Sequence, residues 1–312
     1  MANLTLLDVA KLNGNDKTVG LIEENLAYAP ELSVFPVIQK AGTSYYTVKR
    51  TGFPSVGFRG ANEGITPSKS TYAKQLHECY VLAGAVNVDK AVATAYDGGM
   101  AELEMIEASG VAKSSVIYLG AQIWYGTDTK GFPGIKALVA KTDTLGHDAG
   151  GTTATTASSI YGVKFGVQDA ALVFGNGTTL DLSPFADQQL FDSNGKAYAG
   201  RVANLTAWVG LQVGNANCVG RIANVTADSG KGCTDALLSA WLENFPVGYR
   251  PDAIFMSRRS AGQLQRSRSV TIMNTSGGKV AGNVENIAPW PTSAFDIPIV
   301  VTDSIGNTDA IE

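Results

Sequence analysis

The two histidines are the first residues to consider for catalysis, because histidine is the commonest general base near neutral pH. His77 falls inside a predicted strand, where we expect a structural role. His147 precedes Asp148 in a segment rich in threonine and glycine. A serine–histidine–aspartate triad also needs a positioned serine, and the chain contains no G-x-S-x-G motif. We therefore expect no catalytic residue, and an enzyme with a hidden serine or histidine site stays open as an alternative.

Motifs that bind phosphate or metal ions are also missing. Residues 230–232 and 278–280 each place a lysine beside glycine, but both lack the earlier glycine and the following Ser or Thr of a phosphate-binding loop. Glu102, Glu104 and Glu107 occur without a histidine or aspartate pattern, so we expect a solvated or inter-subunit surface. The sequence predicts no cofactor-binding or metal-binding residue.

The three cysteines are odd in number, far apart and without C-x-x-C spacing, which predicts small buried side chains rather than disulfides or a zinc site. They are Cys79, Cys218 and Cys233. The first residues lack the basic region of a signal peptide, and no apolar run approaches the ~18 residues of a membrane span. We therefore expect a protein that stays in the cytosol and does not contact a membrane.

The charge balance argues against a protein that grips DNA through a basic face. The chain carries a formal net charge of -4 over 312 residues, and only 17% of the residues are charged. The densest basic cluster is Arg258, Arg259, Arg266 and Arg268, which we expect to meet acidic groups of a neighbouring subunit. A surface this poor in charge suits a protein that covers itself with its own copies.

The elements that position these residues begin with a predicted arm and a long loop. Residues 1–34 lack the pattern of a core, whereas residues 45–51 alternate as a strand and residues 72–86 form another extended stretch. Residues 52–64 between them are too polar and glycine-rich for a core. We predict a two-stranded loop that leaves the body and needs a surface to lie on, which a neighbouring subunit could supply.

The clearest predicted helix spans residues 99–125 and would be about 40 Å long at ~1.5 Å per residue. Its apolar residues recur at steps of three and four. They are Met100, Leu103, Ile106, Val111, Ile117, Tyr118, Ala121 and Trp124. Gly110 and Gly120 interrupt it, so either the helix bends at Ser109-Gly110 or the glycines admit a close neighbour.

The second half of the chain predicts an α+β class. Residues 142–158 have no apolar periodicity and predict a flexible surface loop, after which short alternating stretches predict an antiparallel β region. The predicted strands are 160–167, Ala170–Phe174, 207–213, Val219–Val225, Ala253–Met256 and 297–302. Two helices complete the pattern: Thr234 caps residues 235–244 and Ser257 caps Arg258–Arg268.

The order of these elements resembles the major capsid protein of tailed bacteriophages, the Hong Kong 97 fold, over nearly the whole chain. Residues 34–90, with Phe53-Pro54 and the run from Phe58 to Gly64, resemble the extended loop of that family. Residues 123–135 are similar to the end of its spine helix and the Gly/Pro loop that enters its peripheral domain. Residues 221–264 are similar to the entry into its axial domain.

The resemblance implies a wedge-shaped subunit. Its parts would be an N-terminal arm (1–34), an extended loop hairpin (35–88), a peripheral domain with spine helix and β-rich insertion (89–228 and 291–312) and an axial domain (229–290). Copies would assemble into hexamers and pentamers of an icosahedral capsid that encloses the phage genome without sequence-specific DNA binding. The implied location is the virion, after assembly in the host cytoplasm. For such a shell we hypothesise that a bend of the spine helix at Ser109-Gly110 operates during maturation.

The implied partners are further copies, a portal protein and a separate scaffolding protein, and a decoration protein is left open. Some relatives crosslink a loop lysine to a neighbouring asparagine, but neither Lys49, Lys69 nor Lys74 can be matched to that position. The β stretch from 159 to 226 is larger than the minimal fold needs, which suggests an insertion exposed outside the shell. An encapsulin-like shell around an enzyme cargo is the alternative function, and nucleic acid in purified particles would count against it.

Overall fold

The computed structural model describes residues 5–13, 23, 27–272, 284–286 and 288–312. The helices are α1 Leu6–Leu12, α2 Glu31–Val34, α3 Lys90–Ala93, α4 Met100–Tyr125, α5 Ile135–Leu138, α6 Asp235–Leu242 and α7 Arg258–Arg268. The first strands are β1 Val37–Gln39, β2 Ser44–Gly52, β3 Thr71–Glu78, β4 Tyr80–Asp89, β5 Gly146–Asp148, β6 Ser158–Val163, β7 Ala170–Phe174 and β8 Ala186–Phe191. They are followed by β9 Ala197–Val213, β10 Val219–Val225, β11 Ala253–Met256, β12 Val270–Ile272, β13 Val284–Asn286, β14 Ser293–Ala294 and β15 Ile297–Val301.

Two larger sheets and two hairpins organise these strands. One sheet has the order β1-β7-β9-β4, with β8 also paired to β9, and the other has the order β14-β15-β11-β6-β10-β5. The pairs β2–β3 and β12–β13 stand apart from both sheets. Helices and mixed strands thus share one fold, and the α+β prediction is confirmed.

The main hydrophobic core lies between α4 and strands of both larger sheets. The ring of Trp124 stacks on Tyr161 with 4.8 Å between centroids and lies 4.8 Å from Phe255. Phe35 meets Trp124 edge-on at 6.0 Å. Buried aromatic pairs of this kind add about 0.5–1.5 kcal/mol each beyond the burial of their area. These four rings hold the long helix against the sheets.

A second core lies between α6, α7 and the six-stranded sheet. Both predicted caps are confirmed: the Thr234 side chain accepts a hydrogen bond from the Leu237 backbone, and Ser257 accepts one from Ser260. The indole of Trp241 donates to the Leu145 carbonyl at 3.0 Å. The two caps stabilise the first turns of α6 and α7, and the indole hydrogen bond leaves no unpaired donor where Trp241 is buried.

The long helix is confirmed as one unbroken element, but its buried face differs from the predicted one. Leu119 and Ile123 are almost fully buried, whereas Tyr118, which we placed in the apolar stripe, is 43% exposed. Residues 117–119 and 121–124 offer apolar side chains on more than one face, so periodicity alone could not choose between them. The helix ends because Gly126 adopts the left-handed conformation, with φ 60°.

The two glycines of α4 have different surroundings. A methyl group added at Gly110 would meet nothing within 4 Å. At Gly120 it would lie 2.4 Å from Ser304 Oγ and 3.0 Å from Glu31 Oε2. The close-neighbour explanation therefore holds for Gly120, and it is wrong for Gly110.

The predicted flexible loop at residues 142–158 is wrong in part, because this segment is tied into the fold. Strand β5 pairs in parallel with β10, and Ala157 bridges to Asp309. Backbone pairing supplied by distant residues is invisible to local periodicity. The predicted stretch at 72–86 is two strands rather than one: β3 ends at Glu78, and β4 begins at Tyr80 in a different sheet.

The edge between the two predicted main domains crosses a sheet. Strand β6 pairs with both β10 and β11. Because β6 and β10 come before residue 228 and β11 comes after it, the predicted boundary divides one sheet. The predicted arm also has buried parts, since Val9 packs in a small third cluster and Glu31 is fully buried. The three cysteines are free and buried, as predicted.

Candidate subunit interface

The hairpin formed by β2 and β3 is largely exposed, and every residue of its tip from 53 to 69 is exposed. Its strands pair in antiparallel register from Ser44 opposite Glu78 to Gly52 opposite Thr71, and residues 53–70 form an irregular tip. The predicted two-stranded loop leaving the body is therefore confirmed. The hairpin has its own two-stranded sheet, so only its base is held by the rest of the chain.

One face and the tip of this hairpin expose large apolar side chains. On the face, Tyr46 stands opposite Leu76, and Val48 and Tyr72 lie on the same side. At the tip the exposed apolar residues are Phe53, Val56, Phe58 and Ile65. This many exposed apolar side chains on one hairpin indicate an interaction site, because a monomer gains nothing by holding them in water.

The base of the hairpin is fastened to the end of β9 by side-chain amides. The Tyr45 hydroxyl donates to Gln212 Oε1, and the Gln75 amide donates to the Val213 carbonyl at 3.1 Å. Gln212 is buried and donates in turn to the Val167 carbonyl at 2.7 Å. These bonds fix the direction in which the hairpin leaves the body.

His77 belongs to the same base and is buried there. Its Nε2 lies 3.0 Å from Thr47 Oγ1, and its ring lies 5.3 Å from that of Tyr45. Burial first, and then the positive charge of Lys49, lowers the pKa of His77 below its ordinary 6.5. Burial also raises the pKa of Tyr45 to about 12. These surroundings favour the neutral form of His77 and a structural role.

His147 lies in β5, opposite Ile222 of β10. In the part of the chain that the structure describes, no hydrogen bond involves its side chain. His77 lies in the separate hairpin sheet, so the fold does not bring the two histidines together. Asp148 is engaged by Asn224 and Lys141 rather than by a histidine.

The hairpin is basic although the chain as a whole is acidic. Residues 40–78 contain six lysines and arginines against two glutamates, whereas the whole chain carries a net charge of -4. The rest of the chain is therefore strongly acidic. Opposite charges on two parts of one subunit favour contact between the hairpin of one copy and the body of another.

A second apolar surface lies between the long helix and β4. Here a groove of about 600 Å³ runs along the strand, with Val81 and Tyr118 exposed at its walls. Leu82, Val111 and Leu205 also line it. The groove and the hairpin give the subunit two separate apolar surfaces.

The predicted acidic surface of the long helix is wrong for Glu104. This side chain is buried and pairs with Arg201 of β9, with 2.7 Å between Oε1 and the guanidinium. Glu107 is half-buried, and burial followed by the nearby charge of Asp8 raises its pKa. Glu102 is exposed, as predicted.

The expectation that four arginines meet a neighbouring subunit is wrong for two of them. Arg268 pairs with Asp235 of α6, with its Nη2 2.6 Å from the carboxylate. Arg259 donates to the backbone carbonyls of Thr156, Val225 and Asn307. Arg258 and Arg266 are exposed. Partners inside the chain came from segments too distant in sequence to be recognised.

Two buried charged residues had no sequence signal at all. Glu31 accepts hydrogen bonds from the Trp124 indole at 2.8 Å and from the Thr302 hydroxyl at 2.5 Å. Arg221 is 2% exposed and makes two bonds to the Glu312 carboxylate, at 2.8 and 2.7 Å. Both join segments about 90 residues apart or more, which only the folded topology reveals.

Other predicted positions are spread over the surface or fall outside the described chain. Lys49, Lys69 and Lys74 lie in the hairpin, and Lys69 and Lys74 are exposed. Residues 230–232 form a turn, and residues 278–280 lie outside the described residues. Within the described ranges, no group of three His, Cys, Asp or Glu side chains is close enough to hold a metal ion, and no helix is long and apolar enough to cross a membrane.

Comparison with known families identifies the family of this chain. The profile of the major capsid protein GP7 family matches residues 31–311. The chain belongs to this family. No curated protein matches the sequence. Membership makes the chain a structural capsid subunit of phage type, and the resemblance inferred from the sequence is confirmed.

Solved structures show that the GP7-family chain has the Hong Kong 97 type fold. A chain from the near-atomic structure of bacteriophage epsilon15 matches with a TM-score of 0.67 and 17% identity, covering 99% of this chain and 97% of that one. The bacteriophage JBD30 capsid matches with a TM-score of 0.50 and 13% identity, over 97% and 99%. The JBD30 capsid decorated with minor capsid protein trimers gives 0.52 and 13%, over 98% and 100%.

Proposed function

We propose that the chain self-assembles into hexamers and pentamers of an icosahedral shell that encloses a phage genome. The observation that carries this proposal is the hairpin of β2 and β3, which exposes Tyr46, Phe53 and Phe58 to solvent. Burying this surface against a second copy would remove the apolar area from water and pair a basic hairpin with an acidic body. Subunit stability then depends on assembly.

The charge distribution also supports loose containment of DNA. Binding to the phosphate backbone draws its affinity from clustered lysines and arginines, and this chain is acidic outside its hairpin. A shell of such subunits would hold the genome without reading its sequence and would release it readily. We place the protein in the virion, after assembly in the host cytoplasm, and assign it no catalytic activity.

We propose three further partners and a revised division of the subunit. A separate scaffolding protein and a portal protein would direct closure of the shell. A decoration protein would bind the β8–β9 hairpin, whose end exposes Phe191. We keep the arm and the extended loop hairpin as separate parts. Because β6 and β10 share a sheet with β11, we assign the whole six-stranded sheet, with α6 and α7, to the axial domain.

The test is negative-stain microscopy and sedimentation of the purified chain, expressed alone and with candidate scaffolding proteins. We expect closed shells or ring-shaped capsomers. Phage-type particles assembled during infection should contain DNA, whereas an encapsulin-like shell would contain an enzyme and no nucleic acid. A compact monomer under every condition would contradict the proposal.

A further inference from the structure

A two-residue turn between β14 and β15 holds a bulky residue in an unfavourable conformation. Phe295 and Asp296 have φ values of 52° and 62°, and the flanking Ala294 and Ile297 pair across the hairpin. Positive φ at both central residues defines a type I′ turn, which strongly favours Asn-Gly or Asp-Gly. A phenylalanine with positive φ is an outlier, because its side chain crowds the backbone.

The chain uses favourable residues for another turn of the same kind. Asn176 and Gly177 have φ values of 54° and 66°. At residues 295–296 the chain instead has a phenylalanine in the strained conformation. A strained residue is retained where the ring or the conformation has a use.

Burial inside the subunit does not account for this ring. Ala294 and Ile297 belong to the second hydrophobic core, but Phe295 does not and is 44% exposed. Replacing it with a turn-forming polar residue would remove little core packing. The use of the ring must therefore be sought outside the chain.

The surroundings of the turn show what could cover it. Asp296 lines a cleft of about 320 Å³ together with Val247, which is fully exposed, and with Lys164 and Arg250. In the described part of the chain, Lys164, Arg250 and Asp296 make no ion pair. One cleft thus presents apolar side chains and unpaired charges of both signs. That combination is complementary to itself and not to a polyanion such as DNA.

We propose that this surface is a contact between neighbouring copies of the chain, in which Phe295 and Val247 pack across the interface and Arg250 of one copy faces Asp296 of the next. The proposal rests on the shell function proposed above. A contact between two different residues of identical chains is isologous when the pair occurs twice about a two-fold axis, and heterologous when it occurs once and the rotation closes a ring. The strained turn then costs stability in the free subunit and is retained for assembly.

The first test is Phe295→Asn, with Phe191→Asn as the matched control that removes an exposed ring elsewhere. Asparagine tolerates positive φ, so we expect the melting temperature of the unassembled Phe295→Asn subunit to stay unchanged or to rise by about 2–4 °C. We also expect its yield of shells in sedimentation to fall by at least about tenfold, and the control to assemble normally. Normal assembly of Phe295→Asn, an equal loss in both variants, or a lower melting temperature would overturn the proposal.

The second test exchanges the charges. Arg250→Asp and Asp296→Arg should each reduce assembly, and the double variant should recover most of it, because the pair is restored with opposite polarity. A double variant as defective as the singles would contradict the pairing. The wild-type protein is the control for the proposed function. If it forms no shell, the proposed function is contradicted. If it and every variant form normal shells, only this contact is contradicted.

Discussion

The carboxylate of Glu31 and the indole of Trp124 form a buried hydrogen bond of 2.8 Å that joins the N-terminal segment to the long helix. Thr302 donates to the same carboxylate oxygen, while the other oxygen, Oε2, has no partner in the described structure. The nearby Ser304 hydroxyl is likewise buried and unpaired. One carboxylate therefore links three segments of the chain and leaves one buried acceptor unused.

This arrangement predicts opposite outcomes for two substitutions of Glu31. Glu31→Ala removes both bonds and leaves the Trp124 indole unpaired, so we expect a loss of about 2–4 kcal/mol in the free energy of unfolding. Glu31→Gln keeps an oxygen that can accept from the Trp124 indole and the Thr302 hydroxyl, so we expect a change below about 1 kcal/mol. Urea unfolding measures both. A Gln variant as unstable as the Ala variant would mean that the negative charge itself is needed.

The two glycines of the long helix predict a second matched pair. Gly120→Ala would force a methyl group against Ser304 Oγ and Glu31 Oε2, so we expect destabilisation by about 1–3 kcal/mol. Gly110→Ala meets open space and should stabilise the helix by about 0.5–1 kcal/mol. Thermal unfolding of the unassembled subunit compares them. The same Gly110→Ala variant tests the maturation hypothesis, because particles that expand with normal kinetics would show that no bend at this position is required.

Local sequence patterns predicted the features that depend on neighbouring residues, and they missed the features that depend on distant segments. The caps at Thr234 and Ser257 and the helix α4 were predictable from neighbouring residues. The hairpin was predictable because its tip cannot form a core. Strand β5 and the bond between Glu31 and Trp124 were not, since both depend on segments more than 70 residues away.

The candidate interface divides in the same way. Its polar, glycine-rich tip was evident in the sequence, but the direction of the hairpin is set by Tyr45, Gln75 and Gln212, which meet only in the fold. The strained turn at Phe295 had no pattern that marked it, because positive φ at a phenylalanine contradicts ordinary turn preferences.

His77 predicts a pH dependence at the base of the hairpin. Its pKa in the folded protein lies below 6.5, so the unfolded chain binds the extra proton more readily. The stabilising contribution of neutral His77 is therefore fully present above about pH 6.5 and is lost as the pH falls through the lowered pKa. We expect the melting temperature to decline more steeply between pH 7.5 and pH 5 in the wild type than in His77→Gln. Parallel pH profiles would contradict this.

The hairpin tip predicts a loss of assembly without a loss of fold. Phe58 is fully exposed and Val56 nearly so, and neither contributes to a core within the chain. We expect Val56→Ser/Phe58→Ser to leave the melting temperature of the unassembled subunit within about 1 °C and to raise the protein concentration needed for assembly by about tenfold or more. Light scattering during assembly measures that concentration. Unchanged assembly would mean that the tip stays in solvent in the shell.

The basic charge of the hairpin predicts that the sign of Lys69 matters more than its amine chemistry. Lys69 is exposed in the tip and makes no ion pair in the described structure. If the hairpin lies on the acidic body of a neighbour, Lys69→Glu reverses one favourable contact and should weaken assembly several-fold, whereas Lys69→Arg keeps the charge and should assemble as the wild type does.

Arginine cannot form an amide crosslink through a primary amine, so the Arg variant also reports on covalent linkage. Because we expect a purely electrostatic role, denaturing gels should show monomers from both wild-type and Lys69→Arg shells. A ladder of linked subunits in the wild type that disappears in Lys69→Arg would identify Lys69 as a crosslinking residue and would contradict a purely electrostatic role.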